Sequence, residues 1–414
     1  MTKCLLFVDD EQMVLDGLRR ALWSMRGEWE MHFVSSGAAA LDALDSMPFD
    51  AVVTDMRMPG MDGVQLLELV KERHGNLVRI VLSGQSSKDA ILRSVAPAHQ
   101  FLSKPCNLQE LKARLNQAFA SRDLLSNQPL ASIVSRMRSI PSLPHLYNDL
   151  TVALRDENTS LRQIEEIISH DVGMAAKILQ LANSAFIAAH GRVSSLHEAL
   201  SLIGAETVRS LTLSIHVFSQ FDRNAATAAH LPAIWDHSVA VASLAHRIAI
   251  TETGSKHMAE ESFTTGLLHD VGKIVLLAEM PKEYQQVVAS LDGNNQSFRE
   301  LEIKYVGCPH EQIGAYLMSV WGLPVPIVQA VEFHHVPSAA AHTEFSSLTA
   351  VHCADAIVSA SDASPLNHDV DVDTRHVEAL GLVDILPQWA CFHEEYLSAN
   401  ARNQPSQDAK ALST

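Results

Sequence analysis

Residues 51–63 read AVVTDMRMPGMDG, an apolar run as far as Val53 followed closely by an acid, Asp55. A short apolar run is the pattern of a strand buried on both faces, as in a parallel sheet covered by helices. Towards the N-terminus, Leu5-Leu6-Phe7-Val8 repeats it and another run ends at Val34; towards the C-terminus, runs end at Leu82 and Leu102. Between them the apolar period becomes helical, with Val14, Leu18, Ala21 and Leu22 on one face after the first run. Asn107 with Glu110 reads as a capping box opening a helix that turns Leu108, Leu111, Leu115 and Phe119 inward. Five β–α units in about 120 residues predict a small doubly wound α/β domain with five parallel strands.

In open sheets of this kind, ligands sit beyond the carboxyl ends of the strands. Asp9 and Asp10 follow the first strand there, Asp55 the third, Ser83 the fourth and Lys104 the fifth. Three converging carboxylates repel one another unless a cation neutralises them, and oxygen donors of this type suit Mg²⁺. A lysine and a hydroxyl beside them can hold phosphoryl oxygens, and an Asp facing Mg²⁺ can accept a phosphoryl group. Any one of these acids reads equally well as a helix N-cap; the whole set at strand ends does not.

FVDDE at 7–11, TDMRMPGMDG at 54–63, VLSG at 81–84 and FLSKP at 101–105 together closely resemble the receiver domain of two-component response regulators. The resemblance covers residues 1–122 and implies a flavodoxin-like sheet. It implies that Asp55 accepts a phosphoryl group from a histidine kinase. Mg²⁺ would be held by Asp9, Asp10, Asp55 and the carbonyl of Arg57, with Ser83 and Lys104 sensing the phosphoryl group. Phe101 stands at the aromatic switch position, without the hydroxyl of the frequent Tyr.

The remainder of the chain has a different composition. Residues 1–122 hold 14 basic and 15 acidic side chains, whereas 123–414 hold 17 and 33, and the histidines divide 3 to 18. A net charge of -17 over 414 residues argues against a general nucleic-acid binder, which needs a basic footprint. With 47% apolar and 19% charged residues the chain can build real cores. No apolar run approaches the ~18–20 residues of a membrane span, and the opening MTKCLLFVDDEQ meets charge too early for a signal peptide. Five scattered cysteines (Cys4, Cys106, Cys308, Cys353, Cys391) form no CxxC pair, so a reducing, cytoplasmic setting is expected.

This second part reads as almost wholly helical. Ser160 with Gln163 and Ser195 with Glu198 look like capping boxes, and Asp171 like an N-cap before Met174, Ile178 and Leu181. Trp321-Gly322-Leu323-Pro324 reads as a helix end with a turn, Asn183 as a helix-end or interdomain contact, and Leu179, Ala182 and Phe186 as core. The join falls at 123–132, a helical domain is expected over 133–398, and 399–414 lacks the large apolar residues needed for order.

One set of residues in it carries chemistry: His237 in WDHS, His269 and Asp270 in LLHDVGK, His310 in GCPHEQIG, His334 and His335 in EFHH, and Asp355 in HCAD. Imidazoles with bridging carboxylates suit divalent transition metals, and a metal pair activates water against a phosphate ester. Lys273, one turn after Asp270, would support a phosphate. His-Asp recurs at His170-Asp171 and His368-Asp369, so the dipeptide alone identifies nothing. The order His…His-Asp…Asp resembles the HD superfamily of metal-dependent phosphohydrolases. ISHDVGMAAKILQLANSAF at 168–186, HEALSLIGAETVRSLTLS at 197–214, LLHDVGK at 267–273, GAYLMSVWGLP at 314–324 and EFHH at 332–335, opened by SIPSLP at 139–144, closely resemble the HDOD domain. That is a helical output module of bacterial signalling proteins, in many cases regulatory rather than hydrolytic. The His and Asp positions resemble ligands of the catalytic HD-GYP relatives, implying bound Fe, Mn, Ni or Zn. Val-Pro-Ser-Ala-Ala follows His335 in place of Gly-Tyr-Pro, and Ala233 stands where some di-metal relatives place an acid. Metal binding is therefore favoured over cyclic-dinucleotide hydrolysis.

The sequence thus reads as a cytoplasmic response regulator whose output passes by protein contact to a downstream signalling protein, with enzymes of cyclic-dinucleotide turnover as one such class. A homodimer is compatible with it; nucleic-acid and membrane partners are not expected. The rival reading is a phospho-regulated metal-dependent phosphohydrolase acting on a nucleotide or cyclic nucleotide.

Overall fold

The computed structural model describes residues 2–74, 77–83, 98–104, 108–124, 144–156, 159–183, 193–205, 208, 230–291, 297–340, 343–361 and 371–403. The expected cap at Asn107, the join beyond Leu124, Phe186, His368-Asp369 and 404–414 lie outside them, as do the side chains of Ser83 and Phe101.

The apolar runs form one parallel sheet: β1 (Lys3–Val8), β2 (Trp29–Val34), β3 (Ala51–Asp55), β4 (Val78–Ser83) and β5 (Gln100–Ser103), in the order β2-β1-β3-β4-β5. Strand alternation feeds two cores, which is why these runs are continuously apolar. Leu5, Phe7, Val53 and Ile80 meet Leu15 of α1 (Gln12–Ala21) and Leu111, Leu115 and Phe119 of α4 (Leu108–Leu124). Leu6, Val8, Val52 and Val81 meet Leu44 of α2 (Gly37–Ser46) and Leu66, Leu67 and Val70 of α3 (Gly63–Arg73).

Helices follow: α5 (Pro144–Arg155), α6 (Leu161–Ile168), α7 (Val172–Ala182), α8 (Leu196–Ile203), α9 (Leu231–Thr253), α10 (Lys256–Leu268) and α11 (Val271–Glu279). Then come α12 (Pro281–Ala289), α13 (Phe298–Tyr305), α14 (His310–Val320), α15 (Val325–Phe333), α16 (Ser347–Ser361), α17 (Thr374–Ala379) and α18 (Leu386–Asn403). The Ser160–Gln163 capping box forms in both directions, and Asp171 caps α7 by accepting from the Met174 amide. Ser195 caps α8 through the Glu198 amide. Leu179 and Ala182 are buried in the main helical core. Trp321 closes α14, with the Leu323 amide returning to the Met318 carbonyl and Gly322 at φ 75°, a helix end as expected.

Two boundaries differ from expectation. α4 runs to Leu124, past 122, and α18 runs to Asn403, past 399. After Pro387 in its first turn, α18 holds neither proline nor glycine to end it before Asn403. Among the described residues no helix is long and apolar enough to cross a membrane, and Cys4, Cys308, Cys353 and Cys391 are free thiols.

Candidate functional site

The sheet and the helical region each gather the side chains singled out above. In the sheet, β1 and β3 are neighbours and the connections leave them in opposite directions, which opens a crevice at their carboxyl ends. Asp9 leaves β1 into it and Asp55 ends β3; they are 1% and 8% exposed. Lys104, just past β5, reaches across: its Nζ lies 2.7 Å from Asp9 Oδ2 and pairs with Asp55 Oδ1. Burial works against the charge on Lys104, but the Asp55 and Asp9 carboxylates more than offset it and hold its pKa above the ordinary lysine value. Amides fix the acids, Arg57 N donating to Asp55 Oδ2 at 2.8 Å and Glu11 N to Asp9 Oδ1 at 3.0 Å. Asp10 is exposed, and Ser83 ends β4 opposite Ser103 of β5. Oxygen donors gathered around a cation are what Mg²⁺ requires, so the residues fit that ion.

In the helical region seven sequence-distant residues meet. His237 comes from α9, His269 and Asp270 from the junction of α10 and α11, and His310 opens α14; His334 and His335 follow α15, and Asp355 lies on α16. His335 is half-buried and the other six are buried. Gly272 makes the junction workable: a Cβ there would stand 1.9 Å from the His310 carbonyl oxygen, so only glycine lets α11 and α14 begin side by side.

His237 Nε2 lies 3.1 Å from Asp355 Oδ1, and His310 Nε2 lies 3.1 Å from Asp270 Oδ1 and 3.2 Å from His335 Nε2. His269 Nε2 is 3.4 Å from Asp270 Oδ2, and His334 Nε2 is 3.8 Å from Asp270 Oδ1. Two groups can each surround one ion: Asp270, His310, His334 and His335, and His237, His269 and Asp355, with donor atoms within 4.8 Å in each.

The outward nitrogens tell more. His269 Nδ1 bonds the Gly266 carbonyl at 2.7 Å, His334 Nδ1 the Val331 carbonyl at 2.8 Å, and His310 Nδ1 the Glu302 carboxylate at 2.7 Å. The two carbonyl bonds require the proton on Nδ1, which leaves an Nε2 lone pair facing inward on His269 and His334. The buried Nε2 atoms of His269 and His334 and Oδ2 of Asp355 find no hydrogen-bond partner. Inward lone pairs backed by outward hydrogen bonds are the arrangement of metal-ligating imidazoles, so the set fits divalent metal.

The titration divides the set. Burial, helped by neighbouring imidazoles, pushes His334 down to about 3 and His335 well below the usual range, so both stay neutral. Burial disfavours charge on His310 too, but Glu302 and Asp270 outweigh it and raise its pKa. Lys273, 3% exposed, lies 2.7 Å from Asp270 Oδ2 and is directed at that acid.

Sequence reasoning missed Glu302, fully buried on α13, which takes both the ring and the amide of His310. Eight residues upstream of His310 it looks like an ordinary helix-surface acid, and nothing in that spacing shows that it is buried against His310. Ser359, which donates to Asp355 Oδ1 at 3.2 Å, was also missed, although its place one turn after Asp355 on α16 was a signal that could have found it.

Comparison with known proteins matches residues 5–116 to the response regulator receiver domain and 140–337 to the HDOD domain. An uncharacterized protein of Treponema pallidum is 26% identical over 205 residues, covering 50% of this chain and 39% of that protein. The DNA-binding transcriptional regulator NtrC of Klebsiella pneumoniae is 28% identical over 218 residues, 49% of this chain and 46% of the regulator. The chain thus spans less than half the length of either relative. The crystal structure of the MmoQ response regulator of Methylococcus capsulatus is 21% identical with a TM-score of 0.46, over 61% of this chain and 98% of that one.

Proposed function

We propose that this chain, which joins a response regulator receiver domain to an HDOD domain, acts as a phosphorelay response regulator, that Asp55 is its phosphoacceptor and that its phospho-state controls the HDOD module. The observation that carries this reading is the Asp9–Lys104–Asp55 group at the strand ends, with Lys104 Nζ 2.7 Å from Asp9. A carboxylate oxygen of Asp55 attacks the phosphorus of a histidine kinase's phosphohistidine. The new O–P bond forms as the P–N bond breaks, and the imidazole leaves with the electron pair and takes a proton. Asp9, Asp10, Asp55 and the Arg57 carbonyl would hold Mg²⁺, which when bound supplies positive charge to the phosphoryl oxygens. Lys104 gives up its carboxylate pairing for the transferred group, and Ser83 and Phe101 carry the change to the face beside β4 and β5. Output then passes by protein contact from the HDOD module. Acyl-phosphate labelling should require Mg²⁺ and disappear in Asp55→Asn; label persisting in that variant would name another acceptor.

The unpartnered Nε2 atoms of His269 and His334 favour a second reading, a metal-dependent phosphohydrolase of a nucleotide. His237, His269 and Asp355 would hold one ion and Asp270, His310, His334 and His335 another; bound metal would supply a hydroxide-like water. Lys273 holds Asp270 in its ionised, ligating form. Elemental analysis for Fe, Mn, Ni and Zn followed by a nucleotide panel decides: stoichiometric metal with turnover lost in His269→Ala makes the protein an enzyme. Metal without turnover leaves it a scaffold.

A further inference from the structure

The helix that opens on His310 closes against the receiver sheet. Gln100, the first residue of β5, donates from Nε2 to the carbonyl oxygens of Ser319 and Val320 at 3.1 Å each, at the last turn of α14. Gln117 on α4 donates to the Leu323 carbonyl at 3.3 Å. Arg114, 2% exposed, donates from both terminal nitrogens to the carbonyl of Asn183, the C-cap of α7, at 3.3 Å. The last carbonyls of a helix have no partner within it and carry the negative end of its dipole, so amide donors and a guanidinium are favourable there. Gly322 makes room: a Cβ there would stand 2.9 Å from Arg114 Nη1 and 3.2 Å from the Gln100 side chain.

Strand β5 therefore reaches both sites. Lys104, next after it, pairs with Asp9 and Asp55, while Gln100 at its start holds α14. From there α14 runs eleven residues back to His310, which faces Asp270, and packs on α4. Lys104 is paired to the receiver's own carboxylates, and a phosphoryl group on Asp55 would compete for it.

We infer that β5 and α14 couple the two sites: the docked receiver seats His310 for divalent metal, and binding of a phosphoryl group at Asp55 weakens that seat. Linkage is reciprocal, so metal in the imidazole cluster weakens phosphoryl-group binding by the same factor. The first half rests on the docking and on the reading of the imidazole cluster as a metal site; the second rests also on the reading of Asp55 as phosphoacceptor.

The experiment uses the full chain, stripped with chelator, with Co²⁺ alone as the metal in titration calorimetry. The cluster isotherm is the one lost in His269→Ala and kept in Asp9→Asn. In Gln100→Ala or Arg114→Ala it should weaken about tenfold, within the ordinary range of coupling between sites. In the wild type, the affinity for beryllofluoride with Mg²⁺, a phosphoryl mimic, should fall by a similar factor once the cluster holds Co²⁺, and not in His269→Ala. Unchanged cobalt affinity in folded Gln100→Ala and Arg114→Ala, or no cluster isotherm at all, overturns the inference. If both variants fail to fold, an unchanged beryllofluoride affinity overturns it. Absence of beryllofluoride binding and of acyl phosphate would refute Asp55 as acceptor, and the calorimetric arm would then decide the docking half.

Discussion

Asp270 and Lys273 form a charge pair in the interior, 0% and 3% exposed, with 2.7 Å between Nζ and Oδ2. Burial disfavours ionisation of Asp270, yet Lys273 and His269 outweigh it and hold its pKa well below the usual value. Removing one member leaves the other charged in a dry place, which costs about 3–5 kcal/mol, whereas replacing both with apolar groups can be nearly neutral. Asp270→Ala should therefore lower stability by about 3–5 kcal/mol in urea unfolding of metal-free protein. Adding Lys273→Met should recover most of that loss; if it recovers none, the pair is not what the acid was holding. Both residues were readable in LLHDVGK, one helical turn apart. That the lysine serves the acid was not, because spacing places two residues on one helix face without saying what shuts out water.

The helix ends show which parts of an element are local. The caps at Asp171 and Ser160 were legible because a cap bonds an amide two or three residues along the same chain. Helix α7 also carries a property that is not local. Every residue from Val172 to Ala182 is buried, Lys177 among them, with its ammonium 2.7 Å from Gln180 Oε1 and 5.6 Å from the Trp321 ring. Burial drags the Lys177 pKa down to about 7. Between that value and the ~10.4 of an unfolded lysine the unfolded chain binds the extra proton, so stability rises with pH across this window. Below pH 7 the buried charge is present in full. Lys177→Met should therefore melt higher than wild type at pH 6, with the gain shrinking as pH rises to 9; a pH-independent difference would mean that the ammonium is well solvated.

Across the whole molecule, metal loading should register as stability. A ligand bound by the native state alone stabilises by RT ln(1 + [L]/Kd), about 2.7 kcal/mol at a hundredfold excess over Kd. Mn²⁺ or Zn²⁺ should raise the melting temperature of the stripped chain, EDTA should reverse the rise, and Asp355→Ala should abolish most of it. A rise that survives in Asp355→Ala would place the metal elsewhere.

The five strands, their order of appearance and the polar residues at their ends were determined by the sequence alone. Apolar runs, helical period and strand-end acids are short-range patterns, and a doubly wound sheet gathers its strand ends at one crevice by topology. The helical region's seven candidate ligands could be named but not assembled. Their meeting depends on six helices coming together, on a glycine that lets α11 and α14 touch, and on Glu302 being buried by a neighbour. Only the tertiary structure decided that Gln100 and Arg114 would close helices of the other domain, because a surface amide or guanidinium acquires that role only when a second domain offers it unpaired carbonyls.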